Sequence, residues 1–280
     1  MEKSILITGC SSGIGLGCAQ GLKKCGYRVF ATARKAEDVS RLLDMGFEAT
    51  QLDLDSSESI NRAVDHVLDN TGGTLYALFN NGAYGQPGAV EDLSRDTLRK
   101  NFETNVFGTH ELTARIIPVM LRQGYGRIVQ NSSVLGIIAL RFRGAYNASK
   151  FALEGLTDTL RQELSNTPIH VSLIEPGPIS SRFRKNAHRK FLENIDRENS
   201  RFKVVYKGME NRLTKEGPAA PFTLPPEAVL KKLIHALEST KPKPRYYVTF
   251  PTTLFATLKR ILPHTVLDKV LLKVSSDENQ

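Results

Sequence analysis

The stretch Thr8–Gly15 reads TGCSSGIG and joins an apolar run, Ser4 to Thr8, to a helix-period segment that continues to Cys25. Its glycines allow a tight turn and let the following helix pack closely against the strand. The start of such a helix presents unpaired amide groups and a partial positive charge, which favour a phosphate group. The place of this turn, between a first strand and a first helix, therefore predicts a pyrophosphate site rather than an unliganded turn.

Short apolar runs and helix-period segments alternate on both sides of this turn, which is typical of βαβ units. The runs are continuously apolar, so helices are expected on both faces of the sheet. We predict an α/β Rossmann fold, with a doubly wound, parallel, seven-stranded sheet in a single domain over 1–280 and one long helix over Thr97 to Leu121. The predicted strands are 4–8, 28–33, 48–52, 75–80, 127–131, 170–174 and 245–250.

The pattern changes after Pro176. The segment from Ser180 to Thr223 is polar, basic and weakly periodic, and long irregular segments of this kind are often functional lids. We therefore expect a substrate lid at about 180–223. Two amphipathic segments follow, 254–262 and 266–274, which either pack on the domain or a second subunit or make weak contact with an acidic membrane surface; packing is favoured. Residues 275–280 are expected to form a frayed tail.

Composition limits the classes of function. A chain of 280 residues with 40% hydrophobic side chains can bury a core, and its net charge of +9 is spread without a long basic run. Because no aromatic residues interleave with the cations, we expect no nucleic-acid partner. The cysteines Cys10, Cys18 and Cys25 lack metal-ligand spacing, so we expect no metal site and no disulfide framework, and we expect all three to be buried. With no signal peptide and no membrane-length apolar run, a cytoplasmic protein is predicted.

The end of the second predicted strand indicates which dinucleotide binds. A free ribose hydroxyl usually meets an acidic residue there, but this sequence has Arg34 and Lys35. A guanidinium can bond a 2′-phosphate in a forked geometry, which favours NADP(H) over NAD(H). Two solvated surface cations are the alternative interpretation. Asp53, at the end of the third strand, is placed to reach the adenine edge.

Tyr146 and Lys150 are four residues apart in a predicted helix, so their side chains share one face. An ordinary tyrosine has a pKa of ~10, too high for efficient acid–base work at neutral pH. A nearby lysine cation favours the phenolate and lowers that pKa. Ser133, which follows the fifth strand, is placed to hydrogen-bond a substrate carbonyl oxygen. These three residues predict a proton-transfer site.

The order of the motifs resembles that of the short-chain dehydrogenase/reductase family. The resemblance covers about two-thirds of the chain, roughly residues 3 to 182, and the whole chain resembles bacterial aldehyde reductases related to retinol and hydroxysteroid dehydrogenases. Two positions depart from the family pattern: Gly82 and Ala83 exchange the usual small residues, and Ser181 replaces a threonine. The motifs are TGCSSGIG at 8–15, Asn80-Asn81, Asn105-Val106-Phe107-Gly108, Ser133, Tyr146 with Lys150, and Pro176-Gly177.

The resemblance implies a role for each matching residue. Tyr146 is the acid in reduction and the base in oxidation, and Lys150 lowers its pKa and binds the nicotinamide ribose. Ser133 orients the substrate oxygen, and Asn105 holds a water that links Lys150 to a proton relay. Ile179 meets the carboxamide through its main chain. The predicted cofactor contacts are Gly9, Ser11, Ser12, Gly13, Ile14, Gly15, Arg34, Lys35, Asp53, Asn80, Tyr146, Lys150, Pro176, Gly177, Ile179 and Ser181.

The functional hypothesis is an NADP(H)-dependent oxidoreductase that acts on an aldehyde, ketone or alcohol, and the family resemblance implies a homo-oligomer. A hydrophobic small-molecule substrate is expected, because Val134 to Ile138 would border the pocket; Phe183, Phe191, Phe202 and Tyr206 either line it or pack the lid. A non-catalytic NADP(H) sensor is the main alternative, but it predicts loss of the Tyr/Lys/Ser set. A nucleotide-sugar epimerase would have a different glycine turn and a longer C-terminal domain.

Overall fold

The computed structural model describes residues 2–218 and 220–277. Its strands are β1 (Ser4–Ile7), β2 (Arg28–Ala33), β3 (Glu48–Gln51), β4 (Ala77–Asn80), β5 (Gly126–Asn131), β6 (Ile169–Glu175) and β7 (Arg245–Tyr247). Its helices are α1 (Gly13–Lys24), α2 (Ala36–Asp44), α3 (Ser57–Asn70), α4 (Arg95–Phe102), α5 (Gly108–Gln123), α6 (Gly144–Glu163), α7 (Phe183–Asn194), α8 (Lys203–Thr214), α9 (Glu227–Glu238), α10 (Phe250–Ile261) and α11 (His264–Asp277).

The seven strands form one parallel sheet in the order β3-β2-β1-β4-β5-β6-β7. This order confirms the predicted doubly wound Rossmann fold. The chain runs outward in one direction from β1 to β3 and in the other from β4 to β7. A crevice therefore opens beyond the carboxyl ends of β1 and β4, where ligands bind in open α/β sheets.

Helices cover both faces of the sheet, as its continuously apolar strands predict. On β1, Ile5 and Ile7 enter the apolar core beneath α1 and α9, while Leu6 enters the core beneath α3 and α5. All three side chains are fully buried, and burial of one such side chain stabilises a fold by about 1.5–3 kcal/mol. The central strands are thus held from both sides, which fixes their carboxyl ends for the site above them.

The sequence predicts one continuous helix over 97–121, and this prediction is wrong because the helix is interrupted. A π-helical segment, Glu103–Phe107, separates α4 from α5. A π-helical turn places one extra residue in the turn, and such segments often occur at functional sites. This one carries Asn105, and the apolar spacing that α4 and α5 share explains why the sequence alone suggests one helix.

The expected irregular lid at 180–223 is largely helical. Helices α7 and α8 pack on each other through Phe191, Tyr206 and Met209, which are buried in a small core of their own. Both ends of the segment are tied together, because the Ser180 amide donates to the Leu224 carbonyl at 2.9 Å. The segment therefore leaves the sheet and returns to it at nearly the same place, and its two helices are held by apolar contacts of their own.

The C-terminal segments form α10 and α11 and pack on the domain, as favoured above. Leu267 and Leu271 of α11 form an apolar cluster with Ile138, which lies just after β5. Of the expected tail at 275–280, residues 275–277 belong to α11, and 278–280 lie outside the described residues. Among the described residues, no helix is long and apolar enough to cross a membrane.

The cysteines differ in their surroundings. Cys10 and Cys18 are buried as predicted, whereas Cys25 is exposed at the end of α1, so the expectation of burial is wrong for Cys25.

Candidate active site

The glycine-rich turn forms the floor of the site between β1 and α1. Gly9 and Gly13 have φ values of +72° and +59°, a left-handed conformation that favours glycine. At Gly15, a Cβ atom would lie 2.3 Å from the Gly9 carbonyl oxygen, so any side chain would open the turn. Ser12 directly precedes α1, and its side chain makes no capping hydrogen bond to that helix start. Its amide groups thus remain available for the phosphates of a dinucleotide.

The Pro176-Gly177 turn brings the segment after β6 against this floor. A Cβ atom on Gly13 would lie 2.6 Å from the Ser181 Cβ, so Ser181 lies directly over the turn. Ile179 pairs with Leu224 in an isolated parallel bridge, which holds the segment in place. The structure therefore brings the predicted residues Pro176, Gly177, Ile179 and Ser181 to the same cavity as the glycine turn.

The two asparagines at the end of β4, Asn80 within the strand and Asn81 directly after it, face different sides. Asn80 is buried and donates to the Thr113 hydroxyl at 2.8 Å, so its side chain lies beneath the site, against α5, rather than in the cavity. Asn81 lines the cavity and donates to the Thr8 carbonyl at 2.9 Å. The structure thus favours Asn81 over the predicted Asn80 as the side chain near a cofactor. Gly82 has no left-handed φ, so the small-residue exchange leaves this backbone undisturbed.

Ser133 and Tyr146 stand together on the cavity wall. Ser133 follows β5, where its hydroxyl accepts a hydrogen bond from the Leu135 amide at 3.1 Å. Tyr146 lies in the first turn of α6, nearly buried, with its ring 5.3 Å from that of Phe183. Burial raises the pKa of Tyr146, and its interaction with the Ser133 side chain acts in the opposite direction. The side chains of Ser133 and Tyr146 are thus hydrogen-bonding neighbours.

Lys150 lies one helical turn beyond Tyr146 and faces the same cavity. Its ammonium donates to the Asn131 main-chain carbonyl at 2.7 Å and lies 5.7 Å from the centre of the Tyr146 ring. Burial lowers the pKa of Lys150 to about 8, while the nearby Glu154 carboxylate raises it. The expected lowering of the pKa of Tyr146 by Lys150 is not seen in this structure, because burial of the tyrosine dominates and raises its pKa.

Asn105 acts as a clamp on the loop after β4. Its side-chain oxygen accepts from the Tyr84 amide at 3.0 Å, and its amide group donates to the Tyr84 carbonyl at 2.9 Å. The same amide donates to the Ser149 hydroxyl, beside Lys150 in α6, at 3.0 Å. Because the Asn105 side chain is engaged in these bonds, a water ligand would have to be held by its main chain.

The predicted specificity residues follow the ends of the paired strands β2 and β3, and none of them is among the residues that line the cavity of the glycine turn. Arg34 is exposed, and Lys35 is ion-paired with Glu37 at 2.9 Å. Asp53 follows β3 and accepts from the Asp55 amide at 3.2 Å. Sequence reasoning missed Arg41 of α2, whose guanidinium donates to the Ser11 carbonyl at 2.5 Å. A second arginine therefore lies at the edge of the turn. In the sequence, Arg41 cannot be distinguished from an ordinary surface arginine of α2.

A cavity of about 900 Å³ joins these elements. Its cofactor side is formed by the glycine turn, and its opposite wall is apolar. Of the four lid aromatics considered, only Phe183 lines it; Phe191, Phe202 and Tyr206 pack within the lid. Helices α10 and α11 also contribute to the wall, which the sequence did not indicate. The apolar wall includes Val134, Leu135, Ile138, Leu140, Phe142, Ala187, Met209, Leu213, Phe222, Phe250, Leu254 and Phe255.

A nicotinamide dinucleotide fits these residues. The glycine cradle and the uncapped start of α1 suit its pyrophosphate, and the crevice between β1 and β4 leads from there to Tyr146 and Lys150. The fold and site define a dehydrogenase of the Rossmann class. A family model described as short chain dehydrogenase matches residues 3–191, and the chain belongs to that family.

Individual relatives agree with this assignment. The chain is 49% identical over 271 residues to "Uncharacterized oxidoreductase YbbO" of Escherichia coli, covering 97% of this chain and 94% of that protein. It is 34% identical over 261 residues to human 17-beta-hydroxysteroid dehydrogenase type 1, covering 88% and 77%. A solved structure of a variant actinorhodin polyketide ketoreductase with NADPH is similar at a TM-score of 0.73 and 26% identity, covering 88% of this chain and 95% of that one. This protein is thus an oxidoreductase of the short-chain dehydrogenase family.

Proposed function

We propose that this protein is an NADP(H)-dependent reductase of hydrophobic aldehydes or ketones, which also oxidises the corresponding alcohols. The observation that carries this proposal is the meeting of Ser133, Tyr146 and Lys150 on one wall of a largely apolar cavity. When bound, the cofactor supplies the hydride. All other chemistry falls to side chains of this chain.

Proton transfer is assigned to Tyr146. The Ser133 hydroxyl donates to the substrate oxygen and orients it, and the Tyr146 hydroxyl gives that oxygen its proton as the carbonyl is reduced. The tyrosine oxygen then carries negative charge beside the Lys150 ammonium, which stabilises it in a site where burial strengthens the attraction. In oxidation the same groups work in reverse, with Tyr146 as the base.

Preference for NADP(H) rests on the cations at the rim of the glycine turn. Arg34 and Arg41 both extend from the β2–α2 region, and no carboxylate follows β2 directly. A 2′-phosphate would find two guanidinium groups there, which bond phosphate in a forked geometry. The ketoreductase structure with NADPH is a relative that supports this choice.

The apolar wall supports a hydrophobic substrate. Side chains from the loop after β5, from the lid and from α10 line the cavity and are mostly apolar, so they offer mainly dispersion contacts, while Arg141, Arg184 and Arg212 add cationic groups to the lining. The similarity to a hydroxysteroid dehydrogenase points in the same direction. The small core of the lid helices shares Met209 and Leu213 with this wall, while Phe191 and Tyr206 pack inside the lid and Phe183 faces the cavity.

The test follows NADPH absorbance with purified protein and a panel of aldehydes, ketones and sterols of increasing chain length. Alcohols with NADP⁺ are assayed beside them. Turnover that improves with apolar length supports the proposal. NADPH binding without turnover in either direction would contradict it and favour a sensor that binds the cofactor without catalysis.

A further inference from the structure

A buried cluster of charged side chains lies behind the catalytic lysine. Arg245, on β7, donates to the Glu175 carboxylate at 2.6 Å and also bonds the carboxylates of Glu154 and Asp158. Glu175 is fully buried at the end of β6, immediately before the Pro176-Gly177 turn. Arg245 therefore joins the helix that carries Lys150 to the strand that leads into the cofactor turn.

Glu154 is the member of this cluster closest to the chemistry. It follows Lys150 by four residues on α6, so the two side chains share one face of the helix, in line with Tyr146. Its packing is close: a Cβ atom on Gly136 would lie 3.1 Å from Glu154 Oε1 and 2.6 Å from Ser132 Oγ. Ser132 follows Asn131, the last residue of β5, which accepts the Lys150 hydrogen bond, so Glu154 and Lys150 pack on the same short segment at the end of β5.

Burial shifts the pKa values of the two buried carboxyl groups of this cluster, Glu154 and Glu175. Burial first, and the Glu154 charge second, raise the pKa of Glu175 to about 8. Burial raises the pKa of Glu154 as well, and the Arg245 guanidinium that bonds its carboxylate opposes that rise and favours the charged form. The other charged groups that face Glu154 are Asp158 on α6, Arg245 on β7 and Lys259 on α10. A carboxylate bonded by Arg245 thus lies one helical turn from a buried lysine on the same face of α6.

We propose that Glu154 is a positioning residue for the reaction: its buried carboxylate, held by Arg245, keeps the Lys150 ammonium charged next to Tyr146. This inference rests on the proposed function, because it assigns to Lys150 the task of stabilising the tyrosine oxygen. Without the Glu154 carboxylate, burial would lower the pKa of Lys150 further, and Lys150 would lose its proton at a lower pH. Tyr146 would then lose its stabilising charge within the working pH range.

The test compares Glu154→Gln with Asp158→Asn. Both substitutions remove a carboxylate that bonds Arg245, but Asp158 lies one helical turn farther from Lys150. Rates of NADPH oxidation and NADPH affinity are measured from pH 6 to pH 10 in steps of about half a unit. For Glu154→Gln we expect the alkaline decline of both quantities to move down by about one pH unit, as for loss of a neighbouring opposite charge. For Asp158→Asn we expect both declines to stay in place.

Coinciding profiles for wild type and Glu154→Gln would overturn the inference, and so would equal shifts in both variants. If Glu154→Gln does not fold, Glu154→Asp retracts the charge by one methylene, and its profile must shift downward by a smaller amount. The NADPH affinity profile does not depend on turnover. An inactive wild-type protein would therefore overturn the proposed function, while the affinity profiles would still decide the role of Glu154.

Discussion

The Lys150 ammonium donates a hydrogen bond to the main-chain carbonyl of Asn131 at 2.7 Å. This bond fixes a side chain of α6 to the carboxyl end of β5 and uses one of the three donors of the ammonium group. The other two remain for the ribose and for a water molecule. The charge of Lys150 is thus positioned by the sheet itself, 5.7 Å from the centre of the Tyr146 ring.

Replacement of Lys150 by Met is expected to abolish turnover and yet stabilise the cofactor-free fold. Burial lowers the pKa of Lys150 to about 8, against about 10.4 for an unfolded lysine. The unfolded chain binds more protons between these values, so the contribution of this group to stability rises with pH across that window. Below pH 8 the full cost of the buried charge is present, and its removal should raise the unfolding free energy by roughly 1–3 kcal/mol.

Urea denaturation of Lys150→Met at pH 7 and at pH 10 measures this gain, which should shrink at the higher pH. Lys24→Met, at the exposed end of α1, is the control and should change neither stability nor turnover. A less stable Lys150→Met protein at pH 7 would contradict the assignment of an unfavourable buried charge.

Replacement of Gly15 by Ala should disrupt the phosphate-binding turn. The new Cβ atom would lie 2.3 Å from the Gly9 carbonyl, and backbone cannot yield as a flexible side chain can. We expect a loss of NADPH affinity of at least tenfold, about 1.4 kcal/mol, measured by fluorescence titration. Gly155→Ala in α6 is the matched control, since its Cβ atom would meet nothing within 4 Å. It should keep full affinity and gain about 1 kcal/mol of stability.

Replacement of Asn105 by Ala should release the loop after β4. The substitution leaves the Tyr84 amide without its side-chain partner, at a cost of about 1–3 kcal/mol if water cannot reach it, whereas the Tyr84 carbonyl still accepts from the Asn101 side chain at 3.1 Å. Thermal unfolding measures this loss, and turnover should fall with it. Asn70→Ala, which removes one exposed hydrogen bond to His66, should leave both unchanged. Equal unfolding temperatures and equal turnover for Asn105→Ala and Asn70→Ala would show that Asn105 does not hold the loop after β4.

Replacement of Arg34 by Ala should narrow the preference for NADPH over NADH. The guanidinium is expected to bond the 2′-phosphate, which NADH lacks, so affinity for NADPH falls while affinity for NADH stays constant. A charge-assisted hydrogen bond contributes about 1.5–3 kcal/mol, which corresponds to a tenfold or larger change in the ratio of dissociation constants. The exposed Arg62→Ala on α3 serves as the control. An unchanged ratio in Arg34→Ala would refute this assignment.

Local patterns made the fold and the centre of the site predictable. The turn at 8–15 depends on glycines adjacent in sequence, and Tyr146 and Lys150 share a helix face because of their spacing. Contacts between distant segments carry no such signal. The bond from Arg41 to Ser11 and the clamp from Asn105 to Tyr84 join separate elements. The π-helical segment keeps the apolar spacing of the helices on either side, and the lid helices bury a core too small to give a strong periodicity.

Tyr146→Phe tests the central claim most directly, because it removes one hydroxyl and keeps the ring against Phe183. NADPH affinity and the rate of carbonyl reduction are measured together, with Tyr125→Phe as a control outside the cavity. The account predicts unchanged NADPH affinity and rate for Tyr125→Phe, and for Tyr146→Phe retained NADPH binding with a rate about 10²–10⁴-fold lower. A Tyr146→Phe protein that reduces its substrate at the wild-type rate would contradict the account.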